Sequence, residues 1–180
     1  LQVNGDTKAD VIASLAGLVA AAGRTTDVNA LIADVMAREA IMATGFEGVA
    51  IPHARSAACT QASVVVGRRL EGIDFGADDG DAKLIFMIVA PADGDDAHLS
   101  ILAALARRII DEDFRAALLK ASTAADVVAV GKGVAASAGV ASGKGAITLS
   151  RRFLRSSRHS GVPSTRLRRS EEHTSEPSHG

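Results

Sequence analysis

Leu84-Ile85-Phe86-Met87-Ile88-Val89-Ala90 is the stretch on which the fold turns. Seven apolar residues, rich in β-branched and aromatic side chains, run between the polar Asp81-Ala82-Lys83 and Pro91-Ala92-Asp93. A strand with one wet face alternates apolar and polar residues. A run that is apolar at every position suits a central strand covered on both faces. Such a strand needs elements packed above and below it.

Working outward, those elements are present. Upstream, Asp6 or Thr7 caps a predicted helix from Lys8 to Ala22, whose Val11, Ile12, Leu15, Leu18 and Val19 recur on one face. Asp27 caps a second, from Val28 to Met42, with Leu31, Ile32, Val35 and Met36 on one side. Thr44 to Gly48 reads as a loop. Val49-Ala50-Ile51-Pro52-His53 reads as a short strand ending at a polar tip, and Ser63 to Arg68 as another strand. Gly72 to Gly76 is a turn or short extended piece. Downstream, a helix is expected from Ala97 or His98 through Ile110, a second from Asp111 to Ala121, and a short last one from Ser122 to Val130. Helices alternating with buried strands predict a single α/β domain.

Composition sets the boundaries. The chain has 180 residues, enough for one domain, and 47 % of them are apolar. Tyr and Trp are absent, so the core is built from small aliphatic side chains in close contact. Residues 1–134 carry 12 Lys and Arg against 18 Asp and Glu, while residues 135–180 carry 8 against 3. The acidic first part argues against nucleic-acid binding and suits a basic protein partner. A single cysteine, Cys59, excludes an internal disulfide framework and fits a reducing compartment. No apolar run reaches the ~18 residues of a membrane span, so no membrane insertion is expected. No secretory leader is expected at the start. Because the chain opens on Leu rather than Met, further residues are expected upstream.

The folded domain is expected over residues 1–134. Eleven of the fifteen residues from Gly131 to Gly145 are Gly, Ala or Ser, which predicts a flexible linker over 131–150. Residues 151–180 read as a disordered or artefactual tail; its final Arg169-Ser170-Glu171-Glu172-His173-Thr174-Ser175-Glu176 looks like a translated sequencing adapter. Gly143-Lys144-Gly145 lacks the first glycine, the hydroxyl residue after Lys and the preceding strand that a phosphate-binding loop needs.

Three places carry candidate chemistry. His53 follows Pro52, which fixes its own φ and donates no hydrogen bond. A histidine there is presented on a rigid element, and neutral imidazole, with an ordinary pKa of about 6.5, is a competent nucleophile. His98 stands at the start of an apolar helix, where exposed N–H groups and a positive dipole end favour anions. Arg38, paired in sequence with Glu39, suits neutralisation of a transferring phosphoryl group. Taken singly, each has a plainer reading: a strand-end histidine, a helix-capping residue, and an exposed charged pair.

Taken together, Arg38-Glu39, Thr44-Gly45, Gly48-Val49-Ala50-Ile51-Pro52-His53, Leu84 to Pro91 and His98-Leu99 with Leu102 and Leu105 resemble the successive motifs of the fructose/mannitol-type EIIA domain of the bacterial phosphotransferase system. The resemblance covers about residues 4–130. It implies a mixed, mostly parallel sheet with helices on both faces. It implies that His53 is the phosphoryl acceptor, and that His98 and Arg38 line the site. The implied partners are a histidine-containing phosphocarrier protein as donor and the cysteine of an EIIB domain of a sugar permease as acceptor, in the cytoplasm. No cofactor and no metal are implied. The expected activity is phosphoryl transfer toward sugar uptake, with fructose as the sugar. The alternative is a regulatory EIIA-like module whose phosphorylation at His53 controls partner binding. The sequence departs from the pattern in three ways. The 180 residues hold little of the opening strand expected before Thr7 and no EIIB domain after the linker, and Cys59 lacks the EIIB motif and reads as structural.

Overall fold

The computed structural model describes residues 2–93 and 97–137. In chain order the elements are α1 (Lys8–Ala21), α2 (Val28–Ile41), β1 (Gly45–Phe46), β2 (Val49–Ala50), β3 (His53–Ser56), β4 (Ser63–Arg68), β5 (Leu84–Pro91), α3 (Ala97–Ile109), α4 (Glu112–Lys120) and α5 (Ala124–Ser137).

The apolar run is the central strand β5. Alternate side chains leave it on opposite sides, as strand geometry requires. Ile85, Met87 and Val89 pack with Val11, Ile12 and Leu15 of α1 and Leu31 and Val35 of α2. Leu84, Phe86 and Ile88 pack with Leu105 and Ile109 of α3, Phe114 and Leu118 of α4 and Val127 of α5. Burying each such side chain contributes about 1.5–3 kcal/mol, so one eight-residue strand anchors two cores.

One edge of β5 pairs antiparallel with β4 along its length, from Ser63 opposite Val89 to Arg68 opposite Leu84. On the other, β2 and β3 pair parallel at a constant offset, Val49 opposite Leu84 and His53 opposite Ile88. They are one strand line interrupted at Ile51-Pro52. Pro52 has no N–H for the ladder, although its carbonyl still accepts from the Ile88 amide at 3.0 Å. The expected strand ending at His53 is therefore two strands, and His53 begins the second. The sheet is mixed, as expected, but parallel pairing does not predominate: two ladders are parallel and two antiparallel. No helix lies between β4 and β5 or between β1 and β2, and without a helical crossover neighbouring strands return antiparallel.

The expected Thr44–Gly48 loop holds a hairpin. β1 folds back on β2 through Glu47 and Gly48, both at positive φ (46° and 76°). This is the type I′ combination that matches strand twist. A Cβ added at Gly48 meets nothing within 4 Å, so Gly48→Ala tests the dihedral alone. We expect a loss of about 1 kcal/mol and a melting temperature lower by a few degrees, read by thermal denaturation.

Helix boundaries follow their caps. Thr7 and Asp10 form a capping box at α1, Asp27 caps α2 and Asp111 caps α4. The last helix departs from expectation. Residues 131–137 are helical, not linker. Thr123 and Asp126 form the same reciprocal cap, with Asp126 accepting from the Thr123 amide at 2.8 Å. The helix then runs on through Gly131 and Gly133, each costing about 1 kcal/mol, because Ala135 and Ala136 are the strongest helix formers. The rest of the predicted linker and the 151–180 tail lie outside the described residues. Of the expected opening strand, Gln2 makes an isolated parallel bridge to Arg68, and the Val3 amide donates to the Arg68 carbonyl at 3.0 Å.

Candidate functional site

The break at Pro52 builds the candidate site. In register, Ala54 lies opposite Val89 and both belong to the α1–α2 core, so His53, opposite Ile88, projects to the α3 side. There it is half-buried. Its Nδ1 lies 2.9 Å from the Ile51 carbonyl oxygen. A carbonyl only accepts, so Nδ1 carries a proton, and whenever the ring is neutral its lone pair lies on Nε2. In its neutral form the ring is thus held in the Nδ1–H tautomer.

The Ile51 peptide is itself held, its amide donating to the Thr44 carbonyl at 3.2 Å. Thr44 in turn is fixed by Glu39. The Thr44 amide donates to Oε1 at 3.0 Å and its hydroxyl to Oε2 at 2.7 Å. Lys8 Nζ approaches Oε1 at 3.5 Å and sits 5.7 Å from the centre of the Phe75 ring. Glu39 is only 3 % exposed. The reading of Arg38-Glu39 as an exposed pair fails for Glu39, and the signal was in the spacing: Leu31, Val35 and Glu39 recur every fourth residue on the buried face.

Arg38 occupies the last turn of α2, which packs against β3. It is half-buried, and its Nη1 is enclosed with no hydrogen-bond partner among the described residues. An enclosed guanidinium nitrogen with no acceptor is a group suited to an incoming anion. His98 is the second residue of α3, the helix packed on the sheet face to which His53 projects. Its side chain lies outside the described residues. The fold therefore sets His53 at the head of β3, with α2 against that strand and the start of α3 on the same face as the ring.

Cys59 is buried, its thiol donating to the Gln61 carbonyl at 3.1 Å. Burial pushes that thiol above its ordinary pKa, which suits an inert structural residue rather than a thiolate. Among the described residues no group of three His, Cys, Asp or Glu side chains is placed to hold a metal, and no helix is long and apolar enough to cross a membrane.

Comparison with known proteins shows the family. Residues 1–132 match the family model described as phosphoenolpyruvate-dependent sugar phosphotransferase system, EIIA 2. The chain is 44 % identical over 128 residues to the PTS system fructose-specific EIIA component of Haloferax volcanii, covering 68 % of this chain and 83 % of that one. Its fold matches the crystal structure of nitrogen regulatory protein IIA-Ntr from Neisseria meningitidis (TM-score 0.66, 30 % identity), over 72 % of this chain and 90 % of that one. It also matches a complex of enzyme IIAMTL with phosphorylated enzyme IIBMTL from Escherichia coli (TM-score 0.63, 20 % identity), over 74 % and 92 %. That likeness speaks to the fold alone. The chain belongs to the EIIA 2 family of the phosphoenolpyruvate-dependent sugar phosphotransferase system, a family of phosphotransferase components.

Proposed function

We infer that the chain is a phosphoryl carrier whose acceptor atom is His53 Nε2. The observation that carries this reading is the Nδ1–H···O=C bond to Ile51, which presets the nucleophilic tautomer. In the proposed step the Nε2 lone pair attacks the phosphorus of a donor phosphohistidine. A new P–N bond forms, the donor's P–N bond breaks, and its electron pair returns to the donor imidazole. The Nδ1 proton stays on its bond to Ile51, where it stabilises the positive character of the phosphorylated ring. Arg38, with its enclosed Nη1, and the N-terminal turn of α3 with His98 offset the charge spread over the phosphoryl oxygens.

The donor is a histidine-containing phosphocarrier protein, the acceptor an EIIB cysteine, and the compartment the cytoplasm. The sugar taken up is fructose, by analogy with the Haloferax relative. The likeness to a nitrogen regulatory protein supports a second reading, in which phosphorylation of His53 governs partner binding. Phosphate loss to a fructose-specific EIIB protein, but only when that protein carries its cysteine, supports transport; retention of phosphate supports regulation.

The test is phosphate uptake by the full chain incubated with phosphoenolpyruvate, the general phosphotransferase enzyme and the histidine phosphocarrier. Intact mass is expected to rise by one acid-labile phosphate, with phosphorus on Nε2 by NMR. No added mass on a folded protein overturns the reading. Arg38→Gln is expected to slow uptake about tenfold to a hundredfold in a quenched time course.

A further inference from the structure

The buried carboxylate of Glu39 is an odd choice for its place. It occupies a core-facing position of α2, in line with Leu31 and Val35, where an aliphatic side chain packs without cost. A carboxylate there must replace its hydration with donors, and it does so with Thr44 N, Thr44 Oγ1 and Lys8 Nζ. Such a pair adds little to stability compared with an apolar residue of the same size. Two of its three donors come from one residue, and that residue leads into the acceptor strand.

From Thr44 the contacts run in one direction. The Thr44 carbonyl accepts from the Ile51 amide, and the Ile51 carbonyl accepts from His53 Nδ1. The hairpin between them has only two residues in each strand. The pairing of β2 with β5 also ends at Ala50, so neither ladder reaches the Ile51 peptide. Pro52 adds to the problem by removing a rung just where the peptide must be aimed.

We propose that Glu39 and Thr44 are positioning residues that set the tautomer and aim of His53 through the Ile51 peptide. Anchoring Thr44 to the carboxylate in α2 fixes where its carbonyl points. This fixes the Ile51 peptide plane and keeps the Nδ1 proton in place. The proposal rests on the reading of His53 as acceptor, since a preset tautomer matters only to a ring that reacts.

Thr44→Val separates the contacts. It keeps the shape and both backbone groups of Thr44 but deletes the hydroxyl that donates to Glu39 Oε2. Thr44→Ser keeps the hydroxyl and serves as the conservative rescue. The first readout is the pair of ring ¹⁵N shifts of His53 in the labelled full chain, recorded where the ring is neutral. The second is the rate of phosphate uptake from the phosphocarrier. Wild type and Thr44→Ser are expected to show the Nδ1–H form. Thr44→Val is expected to show both tautomers and uptake about tenfold slower, a change that loss of stability alone does not produce in a folded protein. A folded Thr44→Val protein with the wild-type tautomer and rate overturns the proposal. If Thr44→Val does not fold, Glu39→Asp replaces it: the charge facing Lys8 remains while the carboxylate is drawn back from Thr44. An unchanged tautomer in folded Glu39→Asp is then the overturning result. The tautomer needs no phosphate donor to be seen. A wild-type protein that takes no phosphate therefore defeats the acceptor reading while the ring shifts still decide this one.

Discussion

His53→Gln is expected to give a folded protein that takes up no acid-labile phosphate. Glutamine fills a similar volume and offers polar atoms to the same half-buried surroundings, so the melting temperature should stay within a few degrees of wild type. What it lacks is the basic nitrogen lone pair of an imidazole. Removing the nucleophile of a covalent transfer lowers the rate by at least about four orders of magnitude, below what intact mass resolves. The outcome that contradicts the assignment is phosphate uptake at the wild-type rate; mapping that phosphate to another side chain, His98 first, then identifies the true acceptor.

The largest stability effect is expected from Phe86→Ala. The ring is 1 % exposed and stacks on Phe114, with centroids 6.4 Å apart and planes 17° from parallel. It fills the space between β5 and the α3–α4 pair. Truncation removes its transfer free energy and leaves a cavity, a loss of about 3–5 kcal/mol, or roughly 10–15 °C in melting temperature for a domain of this size. Met87→Ala, one residue on, empties the opposite core and is expected to cost about 2–5 kcal/mol. Urea denaturation of the two variants checks both figures. A strand with one wet face would lose stability at only one of these neighbours, so an unaffected Met87→Ala would contradict two-sided burial.

That two-sided burial was legible in the sequence because seven successive apolar residues have no other good use in a chain of this kind. The first two helices and the fourth were equally plain, since Thr7, Asp27 and Asp111 announce their starts. Pairing direction was less so. It depends on how a strand is reached, and the segment between β4 and β5 carries no periodic signal. The end of α5 is not legible in composition alone, because Gly, Ala and Ser together look like linker although alanine favours helix as strongly as glycine opposes it. Among the candidate residues, His53 stood out through Pro52. Glu39 did not, because a carboxylate beside an arginine looks like a solvated pair until its partners, five and thirty-one residues away, are brought to it.

The bond between the His53 ring and its own chain two residues earlier has a kinetic side. The contact is local, so it moves with the strand and does not wait for another protein to complete it. In the proposed reaction a docking partner meets a ring whose rotational freedom was surrendered during folding. Little orientational entropy is left to lose at the moment of transfer. The slow event is then the meeting of two protein surfaces, and proteins of different shape that bring a phosphorus atom to the same point meet a ring already aimed at it.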